Sequence, residues 1–254
     1  MTSHLDVSEA RLEYVDIPGD PHTYPLLLLH EGLGSVSMWR DFPAQLAEAT
    51  GARVVAYSRA GFGRSSPRRS ACTPGFVHEE AVGVIPELRD RLGLRNAVLI
   101  GHSTGASMAL VHAAGHWSVA GVVAMAPLVD VEGSNLDTIR EARTLYETTD
   151  WRTKLARHHD DVDAMFYGWN DIWLHPDFRH WNIVAELKRV RAPVLAILGA
   201  DDRYSSAAQL EAIGRNVPDP SLFQSMELPG CGHAPHRDQP AAVLAAIKGF
   251  VGAV

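Results

Sequence analysis

Cysteine and long apolar runs are both scarce in this chain, and each scarcity excludes a class of protein. Only Cys72 and Cys231 occur among 254 residues, so no framework of disulfides holds the fold together. The longest aliphatic run, Leu26–Leu29, is far too short to span a bilayer. Residues 1–20 carry acidic side chains throughout and lack the apolar segment of a secretory signal. The sequence therefore predicts a cytoplasmic protein with no membrane partner.

An excess of basic charge is also missing. The formal net charge is −7, and the densest basic cluster holds only Arg64, Arg68 and Arg69, as expected of a solvated loop. Because binding to phosphate backbones needs a basic surface, nucleic acid is disfavoured as a partner. We expect a small-molecule substrate as the partner, and a homodimer stays open.

Continuous apolar runs alternate with segments of helical periodicity along most of the chain. Continuous runs are typical of strands buried on both faces, so the pattern predicts an α/β fold with a mostly parallel, doubly wound sheet. Arg11–Ile17 could add an antiparallel edge strand, and Pro86 predicts a kink or a late start in the second helix. The predicted strands are Leu26–Leu29, Arg53–Tyr57, Ala97–Ile100, Gly121–Ala126, Pro193–Leu198 and Leu222–Leu228, and the predicted helices are Trp39–Thr50, Val77–Leu92, Thr104–Ala114, Ser206–Val217 and Gln239–Val251.

The segment 131–190 breaks this alternation. It contains Trp151, Trp169, Trp173 and Trp181, and it has no obvious strand pattern. We interpret it as a helical lid inserted between two strands of a core formed by residues 1–130 and 191–254. The lid is predicted to lie over the carboxyl ends of the strands.

A serine stands at the centre of the most informative motif, Gly101–Gly105. This G-x-S-x-G sequence follows the apolar run Ala97–Ile100 and precedes a helix-like run, as a strand, tight turn and helix would. The flanking glycines allow a turn so sharp that its central residue is strained and its hydroxyl is presented to a substrate. We therefore predict that Ser103 is a nucleophile, provided that a base can reach it.

The base and its acidic partner are predicted from two later turns. His233 follows a late strand in a glycine-rich loop, where an imidazole could take the proton of Ser103 and pass it to a leaving group. A carboxylate at a neighbouring strand end would anchor the second ring nitrogen. Asp201 and Asp202 both follow Gly199, and both stay open from the residues alone.

Acyl transfer also needs two backbone N–H donors for the oxyanion. One is predicted to be that of Thr104, at the positive end of the helix that follows the serine. The other is expected from the turn His30–Gly34, where we choose Gly32 and place Leu33 second.

Taken together, these motifs resemble those of the α/β-hydrolase superfamily over nearly the whole chain. The resemblance implies a doubly wound core, catalysis without a cofactor or metal, and a triad in the order serine, aspartate, histidine. By the usual G-x-x-D placement it favours Asp202 over Asp201 as the acid. The motifs that carry it are His30–Gly34, Arg59–Ser65, Gly101–Gly105, Gly199–Asp202 and Gly232–His233.

Two residues depart from the pattern of the family. Glu31 occupies the position of the usual glycine after the first histidine, and Ser58 stands where relatives often carry an acid. A carboxylate beside an oxyanion hole would oppose the developing charge. Glu31 is therefore expected either to turn aside and pair with a base such as Arg59 or Arg40, or to orient a substrate group or water.

A carboxylic ester or lactone with a small to medium apolar acyl or aryl group is the expected substrate, because the lid is rich in tryptophan. The resemblance leaves open carbon–carbon bond hydrolysis of a diketone-like acid, whose carboxylate Arg203 could bind if it does not form an ion pair at the surface. It also leaves open a perhydrolase, a hydroxynitrile lyase and a ligand receptor with residual turnover. The residues assigned to substrate binding are Glu31, Leu33, His102, Trp169, Trp173 and Arg203.

Overall fold

An eight-stranded sheet forms the centre of the molecule in the computed structural model, which describes residues 2–254 and all of their side chains except those of residues 134 and 135. The strand order is β1-β2-β4-β3-β5-β6-β7-β8, and the strands from β4 to β8 in this order run parallel. The strands are β1 Ser3–Val7, β2 Ala10–Ile17, β3 Leu26–Leu29, β4 Val54–Tyr57, β5 Val98–His102, β6 Gly121–Met125, β7 Val194–Gly199 and β8 Phe223–Leu228.

All six predicted parallel strands are present, which confirms the predicted fold class. The strand at Arg11–Ile17 is antiparallel as expected, but it is not the edge of the sheet, because β1 pairs with its outer side. The sequence of β1 gives little signal, since four of its five residues are not fully buried and they include Ser3, His4 and Asp6. Such a short polar strand lacks the apolar run on which the prediction relied.

Helices cover both faces of the sheet and bury two separate apolar cores. One core contains Leu27, Leu99 and Ala196, and the other contains Leu28, Ile100 and Ile197, because successive strand residues point to opposite faces. The helices are α1 Phe42–Thr50, α2 Phe76–Glu79, α3 Ile85–Arg91, α4 Thr104–Ala113, α5 Gly133–Thr148, α6 Trp151–Leu155, α7 Val162–Leu174, α8 Val184–Leu187, α9 Ala207–Asn216, α10 Pro235–Asp238 and α11 Pro240–Val251. None of the helices within residues 2–254 combines the length and apolar character needed to cross a bilayer.

Pro86 accounts for an irregular turn between α2 and α3. A π-helical turn over Glu80–Val84 separates the two helices, and Pro86 lies in the first turn of α3. Proline has no N–H to donate to the carbonyl four residues before it, so the regular ladder is interrupted there. Of the predicted kink or late start, the late start is wrong, because helical structure begins at Phe76, and the irregularity is a π-helical turn within one continuous helical stretch.

Four helices, α5 to α8, fill the chain between β6 and β7. Aromatic contacts join α5, α6 and α7, and the rings of Tyr146 and Phe166 stack with their centroids 3.7 Å apart. Phe166 is fully buried, and Trp151 packs against it edge-on. This segment is helical, as its sequence predicts, and an isolated bridge between Asp130 and Asn182 joins its two ends.

Two glycines allow β5, α4 and β3 to approach one another at the serine turn. A Cβ added to Gly105 would lie 2.0 Å from the carbonyl oxygen of Leu29, and one added to Gly101 would lie 2.3 Å from the carbonyl oxygen of Gly105. Both neighbours are backbone atoms, which cannot move aside without shifting a strand. The glycines of the motif are therefore required by packing.

We expect Gly105→Ala to destabilise the protein strongly, by about 3 kcal/mol or more, because the new methyl group must displace the end of β3. Urea unfolding followed by circular dichroism measures the loss. Gly249→Ala in α11 is the matched control, since nothing lies within 4 Å of its added Cβ. This control should be neutral or stabilising by about 0.5–1 kcal/mol, and an equal loss in the two variants would contradict the packing argument.

Candidate active site

Ser103 lies in the turn between β5 and α4, at the carboxyl edge of the sheet. Its backbone adopts φ 53° and ψ −120°, a conformation that is strained for a residue with a side chain. Two hydrogen bonds hold the turn: the Ser103 N–H donates to the Met125 carbonyl, and the Ala106 N–H donates to the Ser103 carbonyl. The strained geometry predicted from the G-x-S-x-G sequence is thus present.

Asp202 and His233 lie in direct contact. Nδ1 of His233 is 2.8 Å and 2.9 Å from the two carboxylate oxygens of Asp202, and the Asp202 side chain is 0% exposed. One of these oxygens also accepts the N–H groups of Tyr204 and Ser205. Asp201, by contrast, is exposed. Of the two aspartates left open by the sequence, Asp202 is therefore the one in contact with His233.

The loops that carry these two side chains meet because β7 and β8 end close together. The N–H of Asp201 donates to the Cys231 carbonyl at 2.9 Å, which extends the pairing of the two strands. A Cβ added to Gly199 would lie 2.2 Å from the Gly232 carbonyl oxygen. A glycine at the end of β7 therefore permits the approach that places Asp202 beside the loop of His233.

Ser103 and His233 line one cleft of about 220 Å³ at the carboxyl edge of the sheet. Among the described residues, no hydrogen bond joins the Ser103 hydroxyl to His233. Most of the remaining wall is apolar and comes both from the sheet edge and from helices α5 to α7. Its residues include Leu33, Met38, Leu128, Ile139, Trp151, Leu155, Trp169, Trp173 and Tyr204.

Two backbone N–H groups beside Ser103 have no hydrogen-bond partner within the described part of the chain. They belong to Gly32 and Thr104, and both residues line the cleft. The N–H of Leu33, our second choice for the oxyanion, donates instead to the carboxylate of Glu31. Gly32 and Thr104 are thus the two predicted donors whose N–H groups remain available.

The expected pairing of Glu31 with Arg59 or Arg40 is wrong. The Glu31 carboxylate accepts the N–H of Leu33, whereas the Arg59 guanidinium donates to the main-chain carbonyls of His30 and Glu31. The Glu31 side chain is short, and it folds back to the N–H of Leu33, two residues later, instead of reaching either arginine. Burial raises the pKa of Glu31, and the Leu33 N–H, the next largest influence, lowers it.

Two histidines beside the cleft are kept neutral and support its walls. Burial holds the pKa values of His30 and His102 well below the usual range. Nε2 of His30 accepts the N–H of Arg59, and Nε2 of His102 donates to the His233 carbonyl at 2.6 Å. His102, predicted to bind substrate, lines the cleft and also holds the loop of His233.

The unusual Ser58 is explained by a carboxylate from a neighbouring strand. The hydroxyl of Ser58 donates to the carboxylate of Glu13, on β2, at 2.7 Å, and the N–H of Arg64 donates to the same oxygen at 2.9 Å. A Cβ on Gly63 would lie 2.3 Å from that oxygen. Glu13 thus places a buried acid where relatives often carry one in the turn itself.

Trp169 and Trp173 both line the cleft, as predicted, but Arg203 does not. The Trp169 indole lies against Gly32, where an added Cβ would be 2.3 Å from Nε1. Arg203 instead forms a solvent-exposed ion pair with Glu141 at 2.6 Å. A neighbouring acid on α5 holds its side chain away from the cleft, so the predicted role in substrate binding is wrong.

Tyr204 and Arg237 also line the cleft, and the sequence analysis missed both. The Tyr204 ring lies 4.8 Å from that of His233, and burial raises its pKa. Neither residue belongs to a motif. The one signal in the sequence is that Tyr204 follows Asp202 by two residues and Arg237 follows His233 by four. Across residues 2–254, no group of three or more His, Cys, Asp or Glu side chains is arranged to hold a metal ion.

Comparison with known proteins identifies the family. A model described as the alpha/beta hydrolase family matches residues 26–246. This chain belongs to that family. The α/β hydrolase is 23% identical to the mouse (Mus musculus) sn-1-specific diacylglycerol lipase ABHD11, over 98% of this chain and 87% of the lipase. It is 34% identical to the proline iminopeptidase of Lactobacillus delbrueckii subsp. lactis over 35% of this chain, a match that spans only 30% of that peptidase.

Solved structures share the fold of this α/β hydrolase. A carboxylesterase of Nitrososphaera gargenis superimposes with a TM-score of 0.77 at 22% identity, covering 98% of both chains. The enol-lactonase of Burkholderia xenovorans LB400 gives a TM-score of 0.74 at 19% identity, covering 98% of this chain and 100% of the lactonase. At these identities the likeness establishes the fold alone.

We expect Glu31→Gln to stabilise the protein at neutral pH. Because burial raises the pKa of Glu31, its ionised form opposes folding. This cost is absent below the ordinary glutamate value of 4.5 and is fully present above the raised value. The gap in unfolding free energy between variant and wild type should therefore narrow as the pH falls, in urea titrations at several pH values.

Glu227→Gln is the matched control for this prediction, because Glu227 is exposed on β8. It should leave the unfolding free energy unchanged at each pH. A gap for Glu31→Gln that is independent of pH would contradict the assigned cause.

Proposed function

We propose that this protein is a serine hydrolase that cleaves a small to medium, largely apolar carboxylic ester or lactone through an acyl-enzyme. The observation that carries the proposal is the contact of the buried Asp202 with His233 at the mouth of a cleft that Ser103 also lines. The proposed nucleophile, base and acid thus lie at three neighbouring strand ends, which supports a role in acyl transfer.

In the first half-reaction, Ser103 attacks the carbonyl carbon of the substrate. Nδ1–H of His233 is donated to Asp202, which leaves Nε2 free to accept the hydroxyl proton. The hydrogen bond from the Ser103 hydroxyl to Nε2 of His233 forms as the bound substrate draws these two side chains together. The N–H groups of Gly32 and Thr104 stabilise the oxyanion, an effect of roughly 3–4 kcal/mol per donor in other enzymes.

Collapse of the tetrahedral intermediate breaks the bond to the leaving oxygen. The leaving alcohol takes the proton from Nε2 of His233, and the acyl group stays on Ser103. Water then gives its proton to His233 and attacks the acyl carbon, which releases the acid and restores the serine. Asp202 stabilises the imidazolium in both halves.

The apolar wall of the cleft supports the proposed substrate class. Indole and aliphatic side chains surround the space beside Ser103, so an apolar acyl or alkyl group would be desolvated there at little cost. Hydrolysis of a carbon–carbon bond loses its specific support, because Arg203 is paired with Glu141 at the surface. The ester-cleaving relatives named above favour the same class.

Helices α5 to α7 are proposed to act as the lid of this site. Ile139 of α5, Leu155 of α6 and Trp173 of α7 form one wall of the cleft, opposite the strand ends. Such a cover excludes water from the acyl-enzyme and strengthens the electrostatic interactions beneath it.

A fluorophosphonate probe should label the wild-type protein and fail to label Ser103→Ala. The wild type should also release p-nitrophenol from short-chain p-nitrophenyl esters, with kcat at least about a thousandfold above that of the variant. Ser107→Ala, in the next turn of α4, is the matched control and should retain labelling. Labelling that survives in Ser103→Ala would disprove the assignment of the nucleophile.

Asp202→Asn should lower kcat by on the order of a thousandfold or more, because an amide cannot hold His233 in the required tautomer or stabilise its cation. Asp201→Asn should change kcat by no more than about twofold, as expected of an exposed side chain. Steady-state hydrolysis of p-nitrophenyl acetate compares the two. The reverse ranking would assign the acid to Asp201.

A further inference from the structure

A second and larger cavity adjoins the cleft. Its volume is about 990 Å³, compared with about 220 Å³ for the cleft that contains Ser103. Gly32 and Trp169 line both spaces, so the two cavities adjoin at these residues. A substrate whose carbonyl lies at Ser103 would extend into the larger cavity past the Trp169 indole. We call this space the distal cavity.

The distal cavity has an apolar wall that suits a methylene chain. The side chains of this wall come from the nucleophile helix α4, from α7 and from the start of α2. They are Met108, Met165, Ile172 and Phe76. Methionine side chains are flexible, so they can adjust their packing to an extended methylene chain.

Another part of the distal cavity is cationic. Arg59 is 4% exposed, and its guanidinium donates to the carbonyls of His30 and Glu31 rather than to a carboxylate. The stem of Arg68 lies over Gly61, where an added Cβ would be 3.0 Å from its Cγ. The nearest acid to the Arg68 guanidinium is Glu79, at 3.8 Å, which is longer than a hydrogen bond.

Glu80 is the buried carboxylate on this side, and its charge is coupled electrostatically to both arginines, more strongly to Arg59 than to Arg68. It accepts the Tyr57 hydroxyl at 2.7 Å, and burial raises its pKa. No ion pair joins it to Arg59 or Arg68 among the described residues.

Most other charged side chains of the cavity are engaged elsewhere. Arg64 pairs with Asp160, Arg69 with Glu9 and Asp171 with Arg143, and Asp161 caps α7 through the Ala164 N–H. The exposed Arg11 also lines this cavity and adds a positive charge. A ligand anion at Arg59 and Arg68 would therefore meet two guanidinium groups that have no carboxylate within hydrogen-bond distance, one of them buried.

We propose that the distal cavity binds a carboxylate at the far end of the acyl chain, held by Arg68 and Arg59, and that the natural substrate is a monoester of a dicarboxylic acid. This rests on the proposed function, because the ester carbonyl is placed at Ser103. The apolar wall holds the methylenes, which pass the Trp169 indole between the scissile ester and the distal charge.

The test compares two p-nitrophenyl esters of suberic acid, one with a free distal carboxylate and one with that carboxylate as its methyl ester. The wild type should prefer the free acid in kcat/KM. Arg68→Gln should lower the ratio of acid to methyl ester by on the order of tenfold, mainly through KM, because the lost interaction is made equally in ground and transition states. Arg91→Gln, which removes a surface pair with Glu87 on α3, is the matched control and should keep the ratio.

Binding to Ser103→Ala separates this proposal from the proposed function. Calorimetry on that variant should give a lower Kd for the free acid than for the methyl ester, and the difference should disappear in Ser103→Ala with Arg68→Gln. This result needs no turnover, so it holds even if the wild type hydrolyses neither ester. Equal affinity for the two esters, or equal weakening of both by Arg68→Gln, would overturn the distal carboxylate site.

Discussion

The site depends on backbone segments that approach one another more closely than any side chain allows. Gly105 brings α4 against the end of β3, and Gly199 brings the end of β7 against the loop before His233. Because these contacts join main-chain atoms of different strands, they fix where each strand end points. The main-chain positions of the proposed nucleophile, Ser103, and of the proposed acid–base pair, Asp202 and His233, are therefore set by the sheet itself, and only the Ser103 and His233 side chains have to move together in the reaction.

Much of the fold could be predicted because a parallel sheet buries both faces of its strands. The runs at Leu26–Leu29 and Pro193–Leu198 read as strands from composition alone, since every residue must be apolar. Ser103 could be found because the sharp turn imposes glycines at fixed spacing around it. His233 followed from its place after the last strand, whereas the turn after the preceding strand left Asp201 and Asp202 open and the resemblance to the family favoured Asp202. In each case a local requirement of the backbone leaves a local signature in the sequence.

What could not be predicted depends on contacts between distant parts of the chain. The pairing of Glu13 with Ser58 joins two strands, and only the fold shows that an acid from β2 reaches the turn after β4. Arg203 was misplaced for the same reason, because its partner Glu141 lies on a helix whose packing the sequence does not specify. The contact of Trp169 with Gly32 likewise links the helical segment to the first turn. Such pairs have no periodicity or spacing to reveal them.

The charge of Glu31 would act on both charged groups of the proposed mechanism, the oxyanion and the imidazolium of His233. The Glu31 carboxylate accepts the N–H of Leu33 in the turn that contains Gly32, so its charge would oppose an oxyanion formed beside Gly32. Burial raises the pKa of Glu31, and the electrostatic coupling of Glu31 to His233 acts in the opposite direction. In the proposed mechanism the oxyanion and the imidazolium appear together, as Ser103 passes its proton. The repulsion of one would then be offset by the attraction of the other, and a low dielectric strengthens both interactions of the ionised carboxylate. In the proposed mechanism a carboxylate is therefore compatible with this turn, because the reaction separates charge without creating net charge.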